Sequence, residues 1–328
     1  MFVTEFTEPC VTIGLPVFNG SDFISEAIAS VQAQTLTNWT LVIADNGSSD
    51  DTLEIATAAA QDDPRIIVLP SPENHGAAWN YNRVVDAATT PYFRWAAHDD
   101  LIEPDYLQAC VDALEADPNV VLAYPQTRII DAEGQVVGAY DDNYNLMDDR
   151  PSKRFRRHLF SARFECNAVF GVFRTDFLKA SVRIGSYPGS DFVMLGNAAL
   201  AGKVCEVNRP LFKRRDHAAT SIRANPSTTA LQAWFGKREG RGRAIRPAWT
   251  KLNRYHQIVS GLPIGFGEKL SCYIELAKWM RWFWRDLAGD YFPIFNNAER
   301  RRVLKGAIPV PEVHAMEPGA ETEQKDAA

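Results

Sequence analysis

Over its first 105 residues the chain repeats one pattern four times: a short apolar run, a polar loop, then a segment of helical periodicity. VTIGLPVF at 11–18 closes on Asn19-Gly20. Ile24, Ala27, Ile28 and Val31 then share one face of a helix predicted over 23–34, with Ser21 or Asp22 as its cap. LVIAD at 41–45 runs into NGSSDD before a helix over 52–61, and RIIVLP at 65–70 precedes the loop and helix NHGAAWNYNRVVDAA. YFRWAA at 92–97 ends in His98-Asp99-Asp100, ahead of a helix over 104–116. Strands alternating with helices in this way form a parallel sheet covered on both faces, with ligands at the carboxyl ends of the strands.

Those four ends are all polar: Phe18-Asn19, Asp45-Asn46, Pro70 to Asn74, and His98-Asp99-Asp100. Brought together by strand order, they assemble a site of carboxylates and amides. Two adjacent acids at the mouth of a buried strand repel each other and lose hydration, which a divalent cation would relieve. The plainer reading is that Asp99 and Asp100 cap the next helix or lie in solvated loop. Two familiar phosphate-binding patterns are missing, since GLPVFNG does not supply GxGxxG and no GKS or GKT occurs. The glycine of DNGSSDD comes too early for a calcium loop.

With 328 residues, 46% of them hydrophobic and 11% aromatic, the chain can fill a sizeable core. A formal charge of -6 excludes a general polyanion binder, so no nucleic-acid partner is expected. The five cysteines are scattered and suit reduced thiols. No signal-peptide pattern and no run of about 18 uncharged apolar residues is present, so a cytoplasmic protein is expected.

In the second half, VVLAYPQTRIIDAEGQVVG predicts a β-hairpin turning at Asp131 to Gly134, and CNAVFGVFRT at 166–175 predicts a buried strand. DDNYNLMDDRPSKRFRRHLF reads as a mobile, solvated loop and helix start, or as a lid whose cations close over phosphates. Ser190 is a candidate N-cap and Asp191 suits the first turn of the helix FVMLGNAALAG. Beyond 225, basic residues and Trp279, Trp282, Phe283 and Trp284 form a stretch that either packs on the catalytic domain, forms a homodimer, or makes peripheral membrane contact through 237–292, at the inner face of the cell membrane. From Pro309 the composition is that of a disordered tail.

VTIGLPVFNG, SVQAQT, LVIADNGSSDDT, ENHGAAWNYN and HDD, in this order, resemble the nucleotide-sugar-binding half of a family 2 glycosyltransferase with the GT-A fold, over residues 10–220. The resemblance implies a Rossmann-like, mostly parallel sheet flanked by helices, with the hairpin added and a helical C-terminal extension. It implies residues 1–9 as an extension, a catalytic domain over 10–224 divided after 105, a helical region over 225–308 and a tail over 309–328. The activity implied is metal-dependent, inverting transfer of a sugar from a nucleotide diphosphate donor to an acceptor hydroxyl of a cell-surface glycan or glycolipid. Pro16, Phe18, Asn19, Asp45, Asn46, Asn74, Gly76, Asn82 and Asp99 would contact the nucleotide sugar. Asp100 and His217 would hold Mn2+ or Mg2+, and Asp191 would act as the general base. Arg214 and Arg215 could assist the phosphates, one of them pointing to solvent.

Two departures stand out: Asn46 replaces a common second acid, which leaves the base open, and His98 takes the first place of the acidic triplet. A sugar nucleotidyltransferase is the enzymatic alternative, although its glycine-rich GxGxR loop is missing. A non-catalytic nucleotide-sugar-binding or scaffold protein of a polysaccharide complex is the other.

Overall fold

The computed structural model describes residues 8–161, 166–218, 228–236 and 246–292. Residues 1–7 of the N-terminal extension expected over 1–9, the basic run at 237–245 and the tail lie outside the described residues. The first half follows the predicted alternation: β1 (Val11–Val17), α1 (Ile24–Gln32), β2 (Trp39–Asp45), α2 (Thr52–Asp62), β3 (Ile66–Leu69), α3 (Ala77–Ala87) and β4 (Tyr92–Trp95). These strands pair in parallel in the order β3-β2-β1-β4, so their carboxyl ends share one edge. Every residue of β1 is buried, because helices cover both faces. Hence its sequence is a continuous apolar run rather than an alternating one. A Cβ on Gly14 would lie within 2.8 Å of Val84 and Phe93, so only glycine lets α3 approach this closely.

The chain continues through β5 (Leu101–Ile102), α4 (Tyr106–Ala116), β6 (Val120–Ile130), β7 (Val136–Tyr140), α5 (Pro151–Phe160), β8 (Val172–Arg174), α6 (Thr175–Ala180), α7 (Ser190–Ala201) and β9 (Lys203–Arg215). Their strands extend the sheet as β4-β8-β6-β9-β5. Strand β8 lies antiparallel to both neighbours, and β9 runs parallel to β6. The predicted hairpin is β6 with β7, closed where Asp131 Oδ1 accepts from the Gln135 N–H and Gly134 takes φ +82°. One core packs α1, α2 and α4 on the sheet, and another packs α3, α6 and α7 on its opposite face around Phe93, Trp95 and Phe173.

Helices α8 (Thr228–Phe235), α9 (Pro247–Gly261), α10 (Phe266–Trp282) and α11 (Trp284–Gly289) follow. A third core joins α9 and α10 to α5 and α7 through Phe155, Val193, Leu200, Tyr255 and Trp279. The inner face of the aromatic extension therefore packs on the catalytic domain.

Three local expectations are corrected. Neither Ser21 nor Asp22 caps α1. The residue before it is Phe23, without a side-chain cap, and the Ser21 N–H donates to Asp50 across the loop. The stretch 166–175 is not one strand: Asn167–Phe170 is a turn of 3-10 helix, and Gly171 then lets the chain pass so close to Ala123 that a Cβ would meet its carbonyl at 2.6 Å. The 141–160 segment is packed rather than solvated, with Tyr144, Leu146, Phe155 and Leu159 buried. Arg154 is buried and donates to the carbonyls of Ala199 and Leu200 in the last turn of α7, while Arg150, Lys153 and Arg156 pair with Glu268, Asp148 and Glu275.

Candidate active site

At the end of β2 the Asp45 side chain folds back on its own loop, Oδ2 accepting from the N–H groups of Gly47 and Ser48. Its other oxygen, Oδ1, is buried and has no hydrogen-bond partner among the described residues. Such an atom is costly to leave unpaired, and a ligand N–H would satisfy it. Asn46 serves the next loop: its amide donates to Asn74 Oδ1 at 3.0 Å and to the Gly76 carbonyl, and accepts from the His75 N–H at 3.1 Å. Asn46 and Asn74 thus shape the loop at 74–76 by bonding each other. Gly76 (φ +90°) abuts Gly236, whose Cα would lie 2.2 Å from a Cβ there, so α8 ends against this loop. No local pattern in the chain signals that contact. Pro16 is buried in β1, and Phe18 and Asn19 follow at its exposed end, Asn19 Oδ1 accepting from the Ser49 N–H at 2.9 Å. Asn80, also unforeseen, ties this edge together by donating to the carbonyls of Ala44 and Val17.

At the end of β4, Asp99 and Asp100 are held by one residue of β9. Arg215 gives its backbone N–H to Asp100 Oδ1 at 2.9 Å and its Nε–H to the Asp99 carbonyl at 2.9 Å. Its guanidinium, fully buried, also reaches the Ala132 carbonyl at the β6-β7 turn and pairs with Glu26 of α1 at 2.7 Å, stacked over Phe23. Neither arginine assignment to phosphate applies to Arg215, whose donors are spent on the protein. His217 Nε2 lies 2.9 Å from Asp99 Oδ2, with its ring edge-on to Phe23. The structure therefore joins His217 to Asp99 rather than to Asp100. His98 packs over Gly20, where a Cβ would come within 2.5 Å of the imidazole. Burial, then repulsion from Asp99, pushes the Asp100 carboxyl up to about 8, against the opposing effects of the Arg215 N–H, Arg214 and Arg94.

Asp191 lies in the first turn of α7. The residue ahead of the helix is Gly189, in the left-handed region at φ +80°, so Ser190 is the first helical residue and not the cap. Its Oγ is buried without a partner among the described residues. A Cβ on Gly189 would lie 2.7 Å from Lys251 Nζ of α9, which places a cation beside this helix start. Asn82 does not turn to the nucleotide edge. Its amide donates to the Ile184 carbonyl at 2.8 Å and accepts from the Ile184 N–H, pinning the segment that leads to Asp191. The phenol of Tyr81, on the same α3, links the two halves. Burial raises its pKa, and the charges of Asp99, Asp100 and Asp191 raise it further, so acids from the end of β4 and the start of α7 act on one hydroxyl.

Among the described residues no group of three or more His, Cys, Asp or Glu side chains is gathered as a metal centre. The donor set fits a different arrangement, in which a hard cation takes one or two carboxylates and leaves its other places to substrate phosphates. Asp100 suits it chemically, as a buried carboxylate whose charge is disfavoured until a cation accompanies it.

A wound sheet with a polar carboxyl edge, an acidic pair at β4 and an acid opening α7 defines a GT-A fold. Consistently, the chain matches the crystal structure of residues 1–349 of S. aureus TarS with a TM-score of 0.59 at 14% identity, over 90% of this chain and 83% of that one. The same protein in complex with UDP-GlcNAc matches with a TM-score of 0.56 over the same shares of both chains. The family profile described as Glycosyl transferase family 2 matches residues 12–179, and the chain belongs to that family. Chondroitin synthase of Escherichia coli is 33% identical over 129 residues, 39% of this chain and 19% of its own length. Hyaluronan synthase of Pasteurella multocida is 28% identical over 129 residues, again 39% of this chain and 13% of its own. The chain thus spans a fifth or less of the length of these relatives.

Proposed function

We propose that the protein is a metal-dependent, inverting glycosyltransferase that moves a sugar from a nucleotide diphosphate donor to an acceptor hydroxyl in cell-surface polysaccharide or glycolipid synthesis. The observation that carries this is the shared carboxyl edge of the parallel strands, where Asp45 leaves a buried oxygen unpaired and Arg215 holds Asp99 and Asp100 side by side. The orphaned Asp45 Oδ1 supports an N–H of the base as its ligand, and the loop fixed by Asn46, Asn74 and Gly76 would border the nucleotide with Pro16, Phe18 and Asn19. TarS binds UDP-GlcNAc, which favours a UDP-sugar as donor, and relatives named as chondroitin and hyaluronan synthases favour a growing glycan as acceptor.

Asp191 takes the proton of the acceptor hydroxyl as its oxygen attacks the anomeric carbon. The bond from that carbon to the diphosphate breaks on the opposite face, and the nucleoside diphosphate leaves with the electron pair. Asp100 would hold Mn2+ or Mg2+, with His217 beside it through Asp99. When bound, the cation screens the diphosphate and stabilises it as it leaves.

The test pairs donor binding with turnover. In a melting-temperature panel of nucleoside diphosphates and nucleotide sugars with manganese, the parent should be stabilised by its donor. Asp191→Asn should keep that shift while transfer or hydrolysis of the donor falls by about 10²–10⁴-fold. Turnover by the variant at the parent rate would remove Asp191 from the base role, and no shift with any nucleotide would overturn the donor assignment.

A further inference from the structure

Helix α10 (Phe266–Trp282) has two faces of different chemistry. The inner one carries Cys272, Leu276 and Trp279 into the core shared with α5 and α9. Both of its glutamates also turn that way: Glu268 accepts from the Ser152 N–H at 2.8 Å, and Glu275 pairs with Arg156. The outer face is apolar and exposed, with Phe266 at 83%, Leu270 at 51%, Ile274 at 47% and Trp282 at 72%. Phe266, Leu270 and Ile274 recur at a spacing of four and Trp282 follows eight residues on, so the four run obliquely along the exposed half of the helix. Lys278 and Arg281 stand exposed on the same side, and no acid does. Beyond the helix end the surface continues with exposed Trp284, Arg285 and Asp286.

An apolar stripe of this extent facing water marks a surface that is covered in use. Its charge decides what covers it. On a chain of net charge -6, a stripe bordered by Lys278, Arg281 and Arg285 against one exposed acid, Asp286, is complementary to an anionic surface. Lys278 is already shared with Glu275 at 2.7 Å, which leaves Arg281 as the stronger contributor. Aromatic and aliphatic side chains level with arginine and lysine are the pattern of a helix lying in the plane of a lipid interface. Among the described residues no helix is long and apolar enough to cross a membrane, so the contact is with the surface.

We propose that the outer face of α10 docks on an anionic lipid bilayer, Phe266, Leu270, Ile274 and Trp282 entering the headgroup boundary while Lys278 and Arg281 meet lipid phosphates. This does not rest on the transfer reaction, because it is read without turnover. The full chain should co-sediment with sucrose-loaded vesicles of phosphatidylcholine and phosphatidylglycerol in a ratio of about 3:1, weakly with phosphatidylcholine alone, and less as salt is added. The double variant Leu270→Glu/Ile274→Glu should weaken partitioning roughly a hundred-fold, and Lys278→Glu/Arg281→Glu about ten-fold or more. All four side chains are exposed, so the melting temperature should hold. Val136→Glu, at an exposed apolar position on β7, should leave vesicle binding unchanged. The proposal is overturned if the parent does not sediment with anionic vesicles or if Leu270→Glu/Ile274→Glu binds them as the parent does. It is equally overturned if sedimentation equilibrium shows a dimer that the double variant dissolves, in which case a second copy covers this face.

Discussion

Arg215 does for the acidic pair what neither acid can do for itself. Its backbone and side chain hold Asp99 and Asp100 from one point, while its guanidinium spans α1 and the β6-β7 turn. Lysine could not replace it, because a single ammonium lacks the fixed fork needed for these separate acceptors. This explains how the acids stay placed although one of them is uncomfortable as an anion. Asp100 has a folded pKa of about 8 against an ordinary 3.8, so between those values the folded protein holds a proton that the unfolded chain has released. Its contribution to stability is present below the lower value and is lost as pH rises through the upper. The metal-free protein should therefore melt at a lower temperature at about pH 9 than at about pH 6, and Asp100→Asn should flatten that slope. Manganese competes with the same proton, so its stabilising shift should grow over this range. Equal shifts at both ends would remove Asp100 from the cation site. The acids themselves were legible in the sequence because they end an apolar run. Arg215 was not, since strand alternation predicts only that Arg214 and Arg215 point opposite ways and not which of them is buried.

The helix that carries Asp191 is fixed along its length by residues the sequence presents as an unremarkable basic stretch. Arg154 closes its last turn. Beside its middle, His158 lies 2.7 Å from the hydroxyls of both Tyr144 and Tyr255. Tyr144 gives its hydrogen to the Leu195 carbonyl of α7, so His158 Nδ1–H donates to Tyr144 and Nε2 accepts from Tyr255. Gly196 makes room for this contact, as a Cβ there would stand 2.6 Å from Tyr255 and 2.7 Å from His158. Periodicity located α5 and α7, but it cannot show that a run of arginines and a histidine faces inward, because burial of such groups depends on partners far along the chain. The same holds for the tryptophans of α10. Trp279 is 6% exposed and Trp282 is 72% exposed, although they are only three positions apart. Trp279→Ala should cost about 3–5 kcal/mol in urea denaturation, and Trp282→Ala about 0.5 kcal/mol or less. Similar losses for both would mean that α10 is rotated from the orientation described.

Across the whole molecule, legibility follows how local the determining interactions are. The strands, loops and helices of 11–116 could be read because each parallel strand, buried on both faces, announces itself as an apolar run with a polar end. The mixed second half was read less well, since β8 has only three residues and its place between β4 and β6 is set by distant pairings. The family profile ends at residue 179, yet Asp191, Arg215 and His217 lie beyond it, and the helices that cover α7 lie further still. This division makes a strong prediction about the extension. A chain stopped at Gly236 keeps every candidate site residue but loses Leu252, Tyr255, Ile258, Val259, Leu276 and Trp279, all of which are buried against α5 and α7 or one another. With them gone, Phe155, Leu159, Val193 and Leu200 of the retained α5 and α7 face water, and at about 1.5–3 kcal/mol for each apolar side chain so exposed the retained fold loses on the order of 10 kcal/mol. A domain of ordinary net stability, about 5–15 kcal/mol, has little to spare beyond that. The shortened chain should therefore show no cooperative melting transition by near-ultraviolet circular dichroism, and it should bind no donor. A cooperative transition within a few degrees of the full chain would show instead that α9 and α10 are appended to a self-sufficient catalytic domain, and that their third core contributes nothing to holding Asp191.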